Sequence, residues 1–227
     1  MSFNVKVELE LKGERLANKL RLFLTLFFAI GSGLAYAGGQ IDDVFHFYII
    51  AVGLYFLMYL FTSFWLRKNW YHSTIKYYVT VIEYFALYLV NFSFLLMLHP
   101  YNWIGSFNNP GRFAIYFLFL GMAGSRFSPP LVYLSGGLAI LSHFSLMVLC
   151  GLKPGIEVVF SVIGEPTNRH VPILSLIIDV MFLSAMTVLT SAVSRYSRDL
   201  VAEAQEARQS AASNLSTLEN MFQTARL

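Results

Sequence analysis

Runs of apolar residues as long as a bilayer is thick constrain this chain more than any motif in it. A helix needs roughly 20 mostly apolar residues to cross a hydrocarbon core about 30 Å thick. The sequence offers six such runs, near residues 20–37, 45–66, 77–98, 112–127, 131–150 and 171–193. With 56% hydrophobic and only 13% charged residues, little chain is left over for a soluble domain. The expected fold is all-α, a six-transmembrane-helix bundle occupying residues 20–193.

Lys and Arg are retained on the cytoplasmic side of a membrane, so their placement orients the spans. Lys6, Lys12, Arg15, Lys19 and Arg21 fall around the start of the first run, Arg67, Lys68 and Lys76 between the second and third, and Arg126 at the end of the fourth. Arg195, Arg198, Arg208 and Arg226 follow the sixth. The other side keeps Arg112, Lys153 and Arg169 beside Asp42, Asp43, Glu157 and Glu165. Both termini are expected in the cytoplasm. The net charge of +3 then follows from topology, and a nucleic-acid partner is not expected. The single cysteine, Cys150, excludes an intrachain disulfide, and the charged first 19 residues do not look like a removable signal peptide.

Residues 1–19 form the expected cytoplasmic N-terminal segment. There Phe3, Val5, Val7, Leu9 and Leu11 alternate with polar residues, which predicts a short strand or an interfacial tail before a helical pattern sets in at Glu14. The 100–112 connection, with Tyr101, Trp103 and Pro110, is expected to form a lid-like turn. The 151–170 connection is expected to lay its apolar 156–162 stretch against the bilayer or the bundle.

No Gly or Pro follows Pro172, so the sixth span is predicted to run unbroken into the cytoplasm. In that tail, residues 194–227, Val201, Ala204, Arg208, Ala211, Leu215, Leu218, Phe222 and Ala225 recur at alternating spacings of three and four. This is a coiled-coil seam with one polar interruption at Arg208. Such a seam cannot bury itself alone, so a parallel homodimer is the expected assembly. The alternative is a solvated amphipathic extension on the membrane surface.

No nucleotide-binding loop, zinc-protease helix, CxxC pair or nucleophile elbow occurs, and this chain itself is not expected to catalyse a reaction. Polar groups inside apolar spans are costly and mark candidate function. Glu83 and Asp179 are the two acidic ones, and with Asn91 and Arg112 they are the candidate intramembrane ligand-binding residues. Each acid is either a structural carboxyl bonded to Tyr or Asn91, or a group that lines a ligand cavity or moves a proton. His46, His99, His143 and His170 all fall on the expected outer side, where a bis-His b-type haem would need them, although imidazoles are also at home in headgroup territory. No dedicated metal site is expected.

Residues 115–141, IYFLFLGMAGSRFSPPLVYLSGGLAIL, resemble the membrane sensor region of bacterial sensor histidine kinases, including those for diffusible fatty-acid quorum signals. The third-span string TVIEYFALYL looks similar as well, and the NNP turn at 108–110 is similar to that of redox-responsive six-span kinases. The six-span anchors of membrane class III adenylate cyclases share the layout, and LENMFQTARL resembles the linker that leads into their output domain. The resemblance implies a sensor whose output, a nucleotidyl cyclase or a histidine kinase, lies outside this chain.

The preferred expectation is thus a homodimeric receptor module that passes a ligand or redox signal through the sixth helix and its coiled coil, the stimulus being a small lipophilic molecule or a quinone. Two alternatives are a b-type haem-binding redox protein and a small ion- or proton-coupled transporter. The long heptad tail and the lack of an internal repeat count against the transporter.

Overall fold

A computed structural model describes residues 3–37, 45–68, 70, 72–97, 110–152, 157–159 and 170–224. The described residues are helical apart from short turns and one short strand pairing. We number the helices α1 (Phe3–Ala37), α2 (Phe45–Arg67), α3 (Ile75–Met97), α4 (Pro110–Ser125), α5 (Pro129–Gly151) and α6 (Ile173–Thr224). Between α5 and α6, β1 (Glu157–Val159) pairs in parallel with β2 (His170–Pro172), Glu157 facing His170. The 100–112 connection and most of the 151–170 one lie outside the described residues.

Among the described residues, three helices carry segments long and apolar enough to cross a membrane: Ile49–Arg67 in α2, Pro129–Gly151 in α5 and Leu176–Phe222 in α6. A shorter apolar segment, Ile115–Ser125, lies in α4. The other expected spans fall in α1 and α3. The strand expected at the N-terminus is overturned, because α1 begins at Phe3 and runs 35 residues without a break. Alternation over ten residues fits a strand only if a partner strand exists. Here the segment continues a helix whose buried face is Leu9, Gly13, Ala17 and Leu24, a spacing of four and seven that serves packing against other helices.

Successive helices run antiparallel: Asn18 meets Ser63, Tyr116 meets Ser142, and His143 meets Asp179. The apolar core is drawn from α1 to α6, with Tyr55, Leu87, Tyr116, Leu120, Leu131, Val132 and Leu183 at its centre. Around it the usual distribution is inverted. Glu14, Arg21, Thr62, Thr80, Glu83, Arg126, Ser135 and His143 are buried, whereas Phe23, Phe27, Ile30, Leu34, Tyr78, Leu141 and Met181 point outward.

Close helix approach rests on small residues. Gly136 of α5 lies against Thr187 of α6, and Gly124 of α4 against Thr190. Such contacts suit helices that gain little from burying apolar area against one another. The α4–α5 corner is a tight turn in which Phe127 adopts φ 53°, a left-handed conformation normally given to Gly at a helix end. Pro129 and Pro130 then start α5 and forbid continuation of α4.

A matched pair of substitutions tests this packing. Gly136→Ala places a Cβ into Thr187, whereas Gly137→Ala meets nothing within 4 Å. Both gain the same helix propensity, so G136A should be less stable than G137A by about 1–3 kcal/mol in detergent unfolding. Equal stabilities would mean that α5 and α6 do not approach this closely.

Candidate functional site

Two buried polar clusters lie in the bundle, joined by a column of tyrosines. The first sits at the end where α3 begins and α4 ends. Glu83 of α3 accepts hydrogen bonds from Arg21 Nε of α1 and from Arg126 Nη2, the latter at 3.1 and 3.2 Å to its two oxygens. Glu14, two turns before Arg21, accepts from Arg21 Nη2 at 2.8 Å and lies 3.3 Å from Arg126 Nε. Asn18 Oδ1 takes a further bond from Arg21 at 3.2 Å, and Thr80 Oγ1 one from Arg126 at 2.6 Å. Arg21 and Glu14 are wholly buried, Arg126 and Glu83 nearly so.

The charges balance, two carboxylates against two guanidiniums, and the geometry explains how they come together. An added Cβ at Gly13 would stand 2.6 Å from the Ser125 carbonyl and 2.8 Å from Arg126 Cα. Only Gly lets α1 lie this close to the α4–α5 corner, which brings Glu14 onto Arg126. A second ion pair, Lys76 Nζ to Glu10 at 3.1 Å, closes the same end.

Arg21 and Arg126 are readily taken from sequence as topology-setting cations, and Glu83 as an acid without a basic partner in its own span. The structure assigns both arginines to Glu83 and places neither Asn91 nor a Tyr on it. The available signal was that Arg21 and Arg126 stand at the edges of apolar runs, where a long side chain can turn inward as easily as outward.

The second cluster lies on the far side of the core. His143 Nε2 of α5 is 3.2 Å from Asp179 Oδ2 of α6, and the imidazole stands edge-on to the Tyr116 ring at 6.1 Å. Tyr116 Oη is bonded to Ser142 at 3.2 Å and receives Asn91 Nδ2 at 3.4 Å. Asn91, His143 and Asp179, three separate sequence candidates, are thus brought to one place around Tyr116, which sequence reasoning did not single out. His46 is exposed at the start of α2; His99 lies outside the described residues, and the side chains of Arg112 and His170 do as well. Among the described residues no group of three or more His, Cys, Asp and Glu side chains is placed to hold a metal ion.

Between the clusters, Tyr84 Oη bonds Ser135 at 2.7 Å and Tyr55 Oη lies 3.7 Å from Met122 sulfur, with Phe119 packed between the two rings. A small apolar cleft of about 20 Å³, room for no more than a water, opens beside them, lined by Phe28, Ala51, Tyr55, Leu87 and Phe119 among others.

The tail gives the last element of the site. Counted in alternating fours and threes, the seam expected from Val201 onward continues backward through Ser197, Ser194, Thr190, Thr187 and Leu183. In that half it packs on the bundle: Leu183, Thr187 and Ser194 are buried, Thr190, Ser197 and Val201 half-buried. From Ala204 on it emerges, and Leu215, Leu218 and Phe222 are 61%, 51% and 70% exposed. Ala225 lies outside the described residues.

The inner cluster makes a quantitative demand. Glu83→Gln leaves two buried guanidiniums facing one carboxylate and should cost about 3–5 kcal/mol in detergent unfolding. Glu8→Gln, which breaks the exposed Glu8–Lys12 pair, should cost less than about 1 kcal/mol. Comparable losses would show that the cluster is solvated in the folded protein.

Comparison with protein-family models, with curated proteins and with solved structures returned no match, so the reading of this chain rests on its own geometry.

Proposed function

We propose that this chain is the sensing and transmitting module of a homodimeric bacterial signalling protein. On this reading six helices span the inner membrane, both termini are cytoplasmic, and α6 carries the signal toward a nucleotidyl cyclase or histidine kinase. The inverted burial supports the spans that apolarity alone leaves out. α1 and α3 bury Arg21 and Glu83 while turning Phe27, Ile30, Tyr78 and Phe85 outward, as helices solvated by lipid do.

The observation that carries the proposal is the continuity of α6, one helix of 52 residues. Its first half is held by the bundle through Leu183, Thr187, Ser191 and Ser194, and its second half leaves Leu215, Leu218 and Phe222 exposed. A shift of α6 against α4 and α5 therefore re-aims the side chains that a second copy would engage. The His143–Asp179 contact is the point where a stimulus in the outer half changes the hold of the bundle on that helix. A ligand can do so only by binding one arrangement more tightly than the other.

Disulfide trapping in membranes tests this directly, since the native Cys150 is buried. Leu215→Cys and Leu218→Cys should each cross-link two chains under mild oxidation, whereas Glu219→Cys, off the seam, should not. Adding Asp179→Ala should change the L218C yield several-fold while the chain stays folded. Monomeric chains at both seam positions would sink the dimer, and a yield indifferent to D179A would sink the coupling.

A further inference from the structure

Near the inner charge cluster, α1 and α2 part to form a polar crevice of about 500 Å³ lined by Arg15, Asn18, Lys19, Tyr59, Ser63 and Arg67, with Leu22 and Leu66 on its apolar side. Among the described residues no carboxylate pairs with Arg15, Lys19 or Arg67, although Glu8, Glu10 and Glu14 on the same helix are each engaged with other cations. Three unneutralised cations thus face one concavity. Asn18 is buried at its floor and fixed there, donating to Ser63 Oγ at 2.7 Å.

We propose that this crevice binds the phosphate headgroup of an anionic phospholipid. The inference rests on the membrane reading, which puts the charged ends of α1 and α2 at headgroup depth, with Leu16, Leu20 and Phe23 exposed alongside for acyl chains. A phosphodiester supplies the missing negative charge and accepts bonds from several donors at once, and basic pockets between membrane helices suit that chemistry. Asn18 gives the site a consequence. Its amide side faces the crevice through Ser63, and its carbonyl oxygen holds Arg21 of the buried cluster. An occupied crevice therefore stiffens the joint between α1, α2 and α3, and the lipid composition of the membrane becomes an input to the same module.

Native mass spectrometry of the detergent-purified full chain, titrated with phosphatidylglycerol, phosphatidylcholine or inorganic phosphate, tests the proposal. Phosphatidylglycerol should form a saturable single adduct in preference to phosphatidylcholine. Arg15→Gln, Lys19→Gln and Arg67→Gln together should weaken it roughly 100-fold, from roughly fivefold per cation. The decoy Lys12→Gln, Lys68→Gln, Arg195→Gln removes equal charge elsewhere and should keep the adduct. Equal binding of the two lipids, equal loss in both triple variants, or displacement by millimolar inorganic phosphate would each overturn the lipid site. A chain recovered in the aqueous fraction without detergent would instead fail the membrane reading, before any lipid is added.

Discussion

Everything at one end of this bundle depends on a neutral quartet of charges removed from water. Glu14, Arg21, Glu83 and Arg126 come from α1, α3 and the end of α4. Removing four charges from water is expensive, and only mutual pairing with well-made hydrogen bonds offsets it. The arrangement therefore tolerates no loose version. Either all members are in place or unpaired charge is buried. That demand is what makes Gly13 necessary, fixes the depth of α1, and aims Arg126 inward from a corner whose left-handed Phe127 would otherwise be a needless strain.

The far end of the bundle is built differently. Its polar groups meet around Tyr116 through hydrogen bonds of 3.2–3.4 Å, and it reaches α6 through an imidazole and a carboxylate. Small residues at Gly124 and Gly136 let α6 lie close. One end thus ties α1, α3 and α4 together through buried charge, whereas α6 is held by Leu183 in the apolar core, by the Phe117–Phe182 ring contact and by close Gly–Thr approaches, with His143–Asp179 as its polar tie.

Much of this was legible in the sequence, for identifiable reasons. The helices were, because apolar runs bounded by charge, Gly and Pro have few other solutions; α6 in particular could be followed from Pro172 onward by the absence of any breaker. The acidic and histidine candidates were also legible as unusual residues in apolar surroundings. Their partners were not. Arg21 lies 62 residues from Glu83, and Arg126 lies 43 away. Spacing rules speak only for neighbours on one element, and an arginine at the edge of a span reads as a topology signal whichever way it turns. The strand expected at the N-terminus failed for a related reason. Period-two alternation is a local pattern, and the helix it gave way to is fixed by Glu10, Gly13 and Glu14 meeting α3 and α4.

The sequence separation inside the charge quartet also has a meaning in time. On the six-span reading, Arg21 leaves the ribosome with Glu14 already made but 62 residues before Glu83, its second carboxylate. At about 5–20 residues per second that is a delay of roughly 3–12 s. For that interval the first helix carries a charge network with only its own Glu14–Arg21 pair in place. On the same reading, its final seat is set when the third helix arrives, so the earliest helix is among the last to be completed.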